Sequence, residues 1–149
     1  MTQTTAVDER LAEARREAVD ELVASATAAA ARLRQLDQGS VDRIVAAMVR
    51  AGLHAATGLA RLAVEETGFG VFEDKVVKNF VATEFLSDAL EGVRTVGVVE
   101  VDVERNIELV AEPVGVVLAV TPVTNPTSTV LYKAILAAKT RNALLLRPS

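Results

Sequence analysis

The polar loop 121–126, Thr-Pro-Val-Thr-Asn-Pro, is the part of the sequence best placed to bind a ligand. It follows Val114–Val120, an apolar, β-branched run typical of a strand buried on both faces. Ligands of parallel α/β sheets bind beyond the carboxyl ends of the strands. Thr121, Pro122 and Thr124 are therefore candidate binding residues, and a rigid turn set by the prolines is the open alternative.

Other residue types that carry chemistry are scarce or poorly spaced. The chain has no cysteine, which excludes a disulfide, a cysteine-ligated metal and a cysteine nucleophile within these residues. His54 stands alone on a helix, so we expect a structural or surface role. The acidic residues 65, 66, 73 and 74 lack a histidine or a fixed loop spacing, and we interpret them as solvated helix ends or part of a subunit interface. We expect no metal site.

A short glycine motif, Gly68-Phe69-Gly70, begins like a dinucleotide-binding fingerprint. The third glycine is missing, because position 73 is Glu, and no strand precedes the motif. It is rejected as a cofactor-binding turn.

The composition is that of one domain with an aliphatic core. Of 149 residues, 50% are hydrophobic and only 3% aromatic. The net charge is −4, but residues 1–112 hold all 20 acids against 12 bases, and residues 113–149 hold four bases and no acid. The acidic total disfavours nucleic-acid binding. The polar N-terminus and the lack of an apolar run of about 18 residues predict a cytoplasmic protein without a membrane span.

Apolar periodicity predicts three helices in the first part of the chain. The first spans 8 to about 36, with an apolar face at positions 11, 14, 18, 22, 26, 29 and 33. Ser40 is expected to cap the second, which ends near 66–68 and carries apolar residues at 41, 44, 45, 48, 53, 59 and 62. The third spans about 73–90, with Val77, Phe80, Val81 and Phe85 facing inward.

The pattern then changes to alternation of polar and apolar residues. Positions 96–103 and 107–111 predict an antiparallel strand pair. Val114–Val120, a helix from Asn125-Pro126 to about Thr140, and a strand at Ala143–Leu146 predict one βαβ unit. One helix cannot cover both faces of two buried strands, so we expect an α/β fold that is truncated.

Three segments together are similar to the acylating, coenzyme-A-dependent aldehyde dehydrogenases, including the N-terminal half of bifunctional aldehyde–alcohol dehydrogenases. They are VEETGFGVFEDKVVKN at 64–79, AEPVGV at 111–116 and PVTNPTST at 122–129, and KTRNA at 139–143 continues the match. In the wider superfamily a Trp usually precedes the Asn of the last motif, where this chain has Thr124. That difference favours the acylating branch.

The resemblance implies a chemistry that needs a cysteine thiolate. The thiolate attacks the aldehyde, the hemithioacetal gives a hydride to NAD(P)+, and the thioester passes its acyl group to coenzyme A. In the family that cysteine lies downstream of the matching segments. These 149 residues alone are therefore predicted to be inactive.

The resemblance also assigns roles to individual residues. It makes Asn125 the donor that holds the hemithioacetal oxyanion, with a helix N-cap as the alternative. It places the nicotinamide side of NAD or NADP, with NAD favoured, near Thr121, Pro122 and Thr124. Arg147 stands where the superfamily usually has a lysine that contacts the adenosine ribose, and a surface arginine is the alternative. Lys133 matches a family lysine, but we interpret it more simply as a solvated helix residue.

The family fold predicts three parts of the chain: residues 1–94 as the helical part of the cofactor domain, 95–111 as antiparallel strands of oligomerisation type, and 112–149 as the first βαβ unit of the Rossmann-like sheet. The expected partners are a small aldehyde, coenzyme A and further copies of the chain. The alternative function is a non-catalytic interaction module, because exposed strand edges pair with other chains.

Overall fold

The structure is a computed structural model that describes the backbone of residues 2–148 and the side chains of residues 8–148. Met1 and Ser149, at the ends of the predicted domains, lie outside it. The helices are α1 (Thr2–Leu33), α2 (Gln38–Thr67), α3 (Phe72–Phe80), α4 (Leu86–Ala89) and α5 (Pro126–Lys139), and a π-helical segment (Val81–Phe85) joins α3 to α4. None of the helices described has the length and apolar character needed to cross a membrane.

Two small sheets complete the fold and confirm the predicted strand pairs. Strands β1 (Gly97–Asp102) and β2 (Ile107–Ala111) are antiparallel, with a bulge between Val98 and Glu100. Strands β3 (Val116–Thr121) and β4 (Ala143–Pro148) are parallel and are joined by α5, so they form the expected βαβ unit.

The cap of α2 differs from the prediction. The N-cap is Asp37, whose carboxylate accepts a 2.6 Å hydrogen bond from the backbone N–H of Ser40. Ser40 lies three residues inside the cap and supplies the N–H rather than the capping oxygen. The helix ends at the left-handed Gly68, whose N–H donates to the carbonyl of Val64.

The core is aliphatic, as the composition predicts. One cluster joins α2 to α5 through the buried residues Val41, Val45, Val49 and Ile135. A second packs Ala26 and Ala30 of α1 against Ala143 of β4. The small side chains let α1 lie close to the sheet.

Several predicted inward faces are exposed among the described residues. On α1, Leu11 and Leu22 are exposed, and the buried residues of this helix, Ala26 and Ala30, lie closer to its C-terminus. On β3, Leu118 and Val120 are exposed whereas Ala119 and Thr121 are buried. The strand is therefore covered on one face, not on both.

The predicted face of the third helix is also wrong. Val77, Val81 and Phe85 are about half exposed, at 58%, 48% and 59%. The opposite, polar face is buried instead, with Lys75, Asn79 and Thr83 at 4%, 0% and 0%. Long-range hydrogen bonds of Lys75 and Asn79 account for the orientation, whereas Thr83 bonds to carbonyls of its own helix.

The segment 139–143 ties the helices to the sheet. Arg141, buried and in the left-handed conformation with φ 58°, donates to the carbonyls of Arg34 (2.7 Å) and Ala111 (3.1 Å). The Oδ1 of Asn142 accepts from the N–H of Gly115 at 2.9 Å. This part of the family motif thus fixes the entry to β3.

Candidate functional site

The predicted binding loop leaves the carboxyl end of β3 and runs into α5. Thr121, the last residue of β3, is buried and pairs with Pro148 of β4. Pro122 and Thr124 are exposed on the loop, and Pro126 is the first residue of α5. A ligand at this edge of the sheet could therefore contact the loop, as the parallel-sheet rule predicts.

Asn125 occupies the N-cap position of α5, but its side chain does not cap the helix. Its backbone has φ −140° and ψ 56°, and its carbonyl accepts from the N–H of Thr129. The side-chain amide makes no hydrogen bond to the helix N-terminus. The alternative role of this side chain, a helix N-cap, is therefore not observed, and the amide is left for another contact.

That contact comes from α3, 47 positions earlier in the chain. The ammonium of Lys78 donates to Oδ1 of Asn125 at 3.0 Å. One turn earlier on the helix, Lys75 donates to the carbonyl of Thr124 at 2.9 Å. Both lysines thus bind the two residues at the end of the loop.

Asn79 binds the first turn of α5 from the same face of α3. Its Oδ1 accepts from the hydroxyl of Thr127 at 2.9 Å, and its Nδ2 donates to the carbonyl of Ala56 at 2.8 Å. Because Asn79 is fully buried, the two bonds form away from water, where an unpaired group is costly. α2, α3 and α5 are thereby joined at one point.

An open groove of about 470 Å³ lies beside Asn125. The π-helical segment forms one wall, since Val81 and Ala82 line it, and π-helical turns are often found at functional sites. Its lining also includes Lys78, Asn125, Ser128, Thr129, Tyr132 and Lys133. No acidic side chain lines this groove among the described residues, so it favours an electron-rich or anionic ligand.

The other predicted site residues lie apart from this groove. Arg147 is exposed near the end of β4, where its guanidinium donates to the carbonyl of Pro148. His54 is exposed on α2. Within the described part of the chain, no three acidic, histidine or cysteine side chains come together as a metal site would require.

Two carboxyl groups have shifted pKa values, and neither lines the groove. A backbone hydrogen bond from Ser40 lowers the pKa of Asp37 below its ordinary value. A side-chain hydrogen bond from Lys139 lowers the pKa of Asp42. Both are structural carboxylates, one at a helix cap and one in an ion pair between α2 and α5.

Sequence reasoning missed Lys75, Lys78 and Asn79 as neighbours of the loop. Their spacing of three and four places them on one helix face, which was the available signal. That signal was outweighed by the apolar residues at 77, 81 and 85. Only the folded chain shows that the motifs at 64–79 and 122–129 contact each other.

The sequence matches the aldehyde dehydrogenase family over residues 2–149. The chain therefore belongs to the aldehyde dehydrogenase family.

The sequence relatives and the fold point to the acylating members of that family. Aldehyde-alcohol dehydrogenase 2 of Entamoeba histolytica is 42% identical over 145 residues, which are 96% of this chain and 16% of that protein. The acylating sulfoacetaldehyde dehydrogenase of Cupriavidus necator is 44% identical over 140 residues, 93% of this chain and 28% of that protein. The crystal structure of an acetylating aldehyde dehydrogenase from Geobacillus thermoglucosidasius superposes with a TM-score of 0.86 at 41% identity.

The match is to part of each relative. The superposed region is 89% of this chain and 29% of the Geobacillus chain. The chain thus spans less than a third of the length of these relatives, which agrees with the expectation of an incomplete α/β fold. The arrangement of long helices, antiparallel pair and βαβ unit is that of the N-terminal region of an acylating aldehyde dehydrogenase.

Proposed function

We propose that these residues are part of an NAD(P)-dependent acylating aldehyde dehydrogenase that interconverts a short aldehyde plus coenzyme A with the acyl-coenzyme A. The observation that carries the proposal is the uncapped amide of Asn125, held by Lys78 beside an open groove. Relatives named for sulfoacetaldehyde and succinate-semialdehyde, 44% and 37% identical to this chain, support a small aldehyde as substrate.

Asn125 supplies a hydrogen-bond donor for the reaction. When a cysteine thiolate adds to the aldehyde carbon, the carbonyl π electrons move to oxygen and an oxyanion forms. A fixed amide N–H aimed at that oxygen stabilises the charge as it develops. The cysteine itself is not among these 149 residues, so the chain alone is expected to be inactive.

The carboxyl end of β3 fits one side of a nicotinamide cofactor. Thr121, Pro122 and Thr124 lie at the sheet edge where such cofactors bind, and Arg147 lies on the neighbouring strand, one residue before the partner of Thr121. When bound, NAD(P)+ accepts the hydride. We favour NAD, and an Arg147 contact to a ribose 2′-phosphate would favour NADP instead.

A homo-oligomer formed through residues 95–111 is part of this proposal. Apolar side chains on β1, β2 and their turn are exposed, which supports a partner surface: Val101, Val103, Ile107, Leu109 and Val110. The same observation favours a second candidate function, a non-catalytic interaction module. Size-exclusion chromatography with nucleotide titration separates them, since a defined oligomer that ignores NAD(P) supports only the second.

The direct test is an assay of the protein produced from the reading frame that contains these residues, followed past Ser149. We expect a product with a cysteine that reduces NAD+ with acetaldehyde only when coenzyme A is present. Acyl-coenzyme A would form in equal amount with NADH. Aldehyde oxidation that yields free acid without coenzyme A would contradict the acylating reaction. A protein that oxidises none of a set of short aldehydes, with either NAD+ or NADP+, would contradict the proposed enzyme.

A further inference from the structure

We propose that Lys78 is a positioning residue that sets the direction of the Asn125 amide, and that Lys75 holds the backbone on which this amide is carried. This inference rests on the proposed function of Asn125. The contact with Lys78 keeps the Asn125 amide available for chemistry, because the amide then does not cap the helix at whose start it lies.

The contact with Lys78 fixes the direction of the Asn125 amide. A lysine ammonium can only donate hydrogen bonds, so the group of Asn125 that faces Lys78 at 3.0 Å must be the oxygen Oδ1. The Nδ2 group therefore points the other way. Its contact to the hydroxyl of Thr124 is long, at 3.4 Å, which leaves Nδ2 with donor capacity for a ligand beside the loop.

Lys78 competes with the first turn of α5 for the amide oxygen of Asn125. An asparagine at an N-cap position normally uses Oδ1 to accept an N–H of the first helical turn. Here Lys78 occupies Oδ1, and the amide makes no cap bond. Without Lys78 the side chain would be free to rotate and cap α5. Its Nδ2 donor would then change direction.

Lys75 supports the loop next to Asn125. Lys75 is 4% exposed, and its ammonium donates to the carbonyl of Thr124 at 2.9 Å. It has no salt-bridge partner among the described residues. Gly70, with φ 81°, leaves room for this side chain, since a Cβ there would come within 3.3 Å of the Lys75 Cε. The loop next to Asn125 is thus fixed from the same helix.

The charge of Lys78 acts in the same direction. A cation bonded to the amide oxygen withdraws electron density from the amide, and the Nδ2–H groups become stronger donors. Both effects, direction and polarisation, operate through Asn125. Lys78 need not touch the substrate.

The test uses Lys78→Met in the protein that contains the cysteine, with Arg61→Met as the control. Arg61 is exposed, lies over the ring of Phe72 on α3 and does not line the groove, so this control removes a cation that contacts the same helix. We expect Lys78→Met to lower kcat by about tenfold or more, part of the 10²–10³ that one oxyanion donor supplies. Lys78→Arg should restore part of the loss, and Arg61→Met should leave kcat unchanged.

Two further readouts distinguish positioning from a structural role. Lys78→Met should leave the melting temperature unchanged or raise it, because Asn125 then caps α5. In the cysteine-containing protein labelled with [15N]asparagine, the same variant should shift the side-chain amide resonances of Asn125 while leaving those of Asn79 in place. Unchanged Asn125 resonances, or a kcat loss matched by a fall in melting temperature, would overturn the proposal.

A double mutant separates this proposal from the proposed function. If Lys78 acts through Asn125, Lys78→Met should have no further effect on kcat in the Asn125→Ala background. An equal loss in both backgrounds would show that Lys78 acts independently. If Asn125→Ala alone leaves kcat unchanged, the proposed role of Asn125 fails first, whatever Lys78 does.

Discussion

The hydroxyl of Thr127 donates a 2.9 Å hydrogen bond to Oδ1 of the fully buried Asn79. The two residues are 48 positions apart and belong to two of the segments that resemble acylating aldehyde dehydrogenases. The bond gives a physical reason why the two motifs occur together in one chain. One motif presents a polar helix face, and the other is the loop and helix start that this face holds.

Loss of the Asn79 side chain should be costly. Asn79→Ala removes the donor to the Ala56 carbonyl and the acceptor for Thr127 in one step. We expect the free energy of unfolding to fall by about 2 to 4 kcal/mol, since each buried group left without a partner costs about 1–3 kcal/mol. Urea denaturation measures the change. Thr127→Val, which breaks one bond only, should cost about half as much, and equal costs would contradict the account.

The elements of this fold could largely be predicted from the sequence, but the orientation of α3 could not. Apolar periodicity places the helices, and the change to alternation places β1 and β2. On α3 the spacing of Val77, Val81 and Phe85 predicted the buried face. The actual face is chosen by hydrogen bonds to residues about 50 positions away, which the pattern within one helix does not contain.

The same limit applies to the site. Asn125 could be singled out from its motif, but the loss of its cap depends on Lys78 reaching Oδ1 from another helix. A similar effect is seen on β3. Its apolar run predicted burial on both faces. Leu118 and Val120 are nevertheless exposed, because the described residues cover only one face of the strand.

Close packing of α2 against the π-helical segment leads to a second prediction. A Cβ added at Gly52 would lie 2.7 Å from Cγ2 of Thr83 and 3.0 Å from Cδ2 of Leu131. Gly52→Ala should therefore destabilise the fold by about 1–3 kcal/mol through overpacking.

Gly58 on the same helix provides the matched control. A Cβ there would meet nothing within 4 Å. Gly58→Ala should stabilise the protein by about 0.5–1 kcal/mol, because alanine loses less entropy than glycine in a helix. Thermal melts of both variants measure the difference, and a Gly52→Ala variant as stable as Gly58→Ala would refute the packing account.

The ion pair between Lys139 and Asp42 predicts a pH dependence. Lys139 is buried and donates to Asp42 at 2.7 Å, and this bond lowers the pKa of Asp42. Because the folded pKa is below the unfolded one, the stabilisation is fully present above the ordinary value of about 3.9. It is lost as the pH falls through the lowered folded value.

Asp42→Asn tests this pH dependence. At pH 7 we expect a loss of about 1–2 kcal/mol, since the half-exposed carboxylate is partly screened by water while Lys139 is left without its charge partner. The difference from the wild type should shrink below about pH 4. Asp88→Asn, at an exposed position on α4, is the control and should show neither effect. A pH-independent loss would contradict the ion-pair account.

The cap of α2 gives a further prediction. Asp37→Ala removes the acceptor for the Ser40 N–H and should lower the melting temperature at neutral pH. Ser40→Ala keeps that N–H and removes the hydroxyl that accepts from Arg43, so its melting temperature should stay closer to that of the wild type. A larger fall in melting temperature for Ser40→Ala than for Asp37→Ala would instead identify Ser40 as the cap.

The most direct test of the central claim is kcat for coenzyme-A-dependent aldehyde oxidation in the cysteine-containing protein with Asn125→Ala. We predict a loss of about 10²–10³, the usual effect of removing one oxyanion donor, with the melting temperature little changed because the side chain does not cap α5. A variant with wild-type kcat would contradict the assignment of Asn125. It would leave the loop between β3 and α5 as a structural turn.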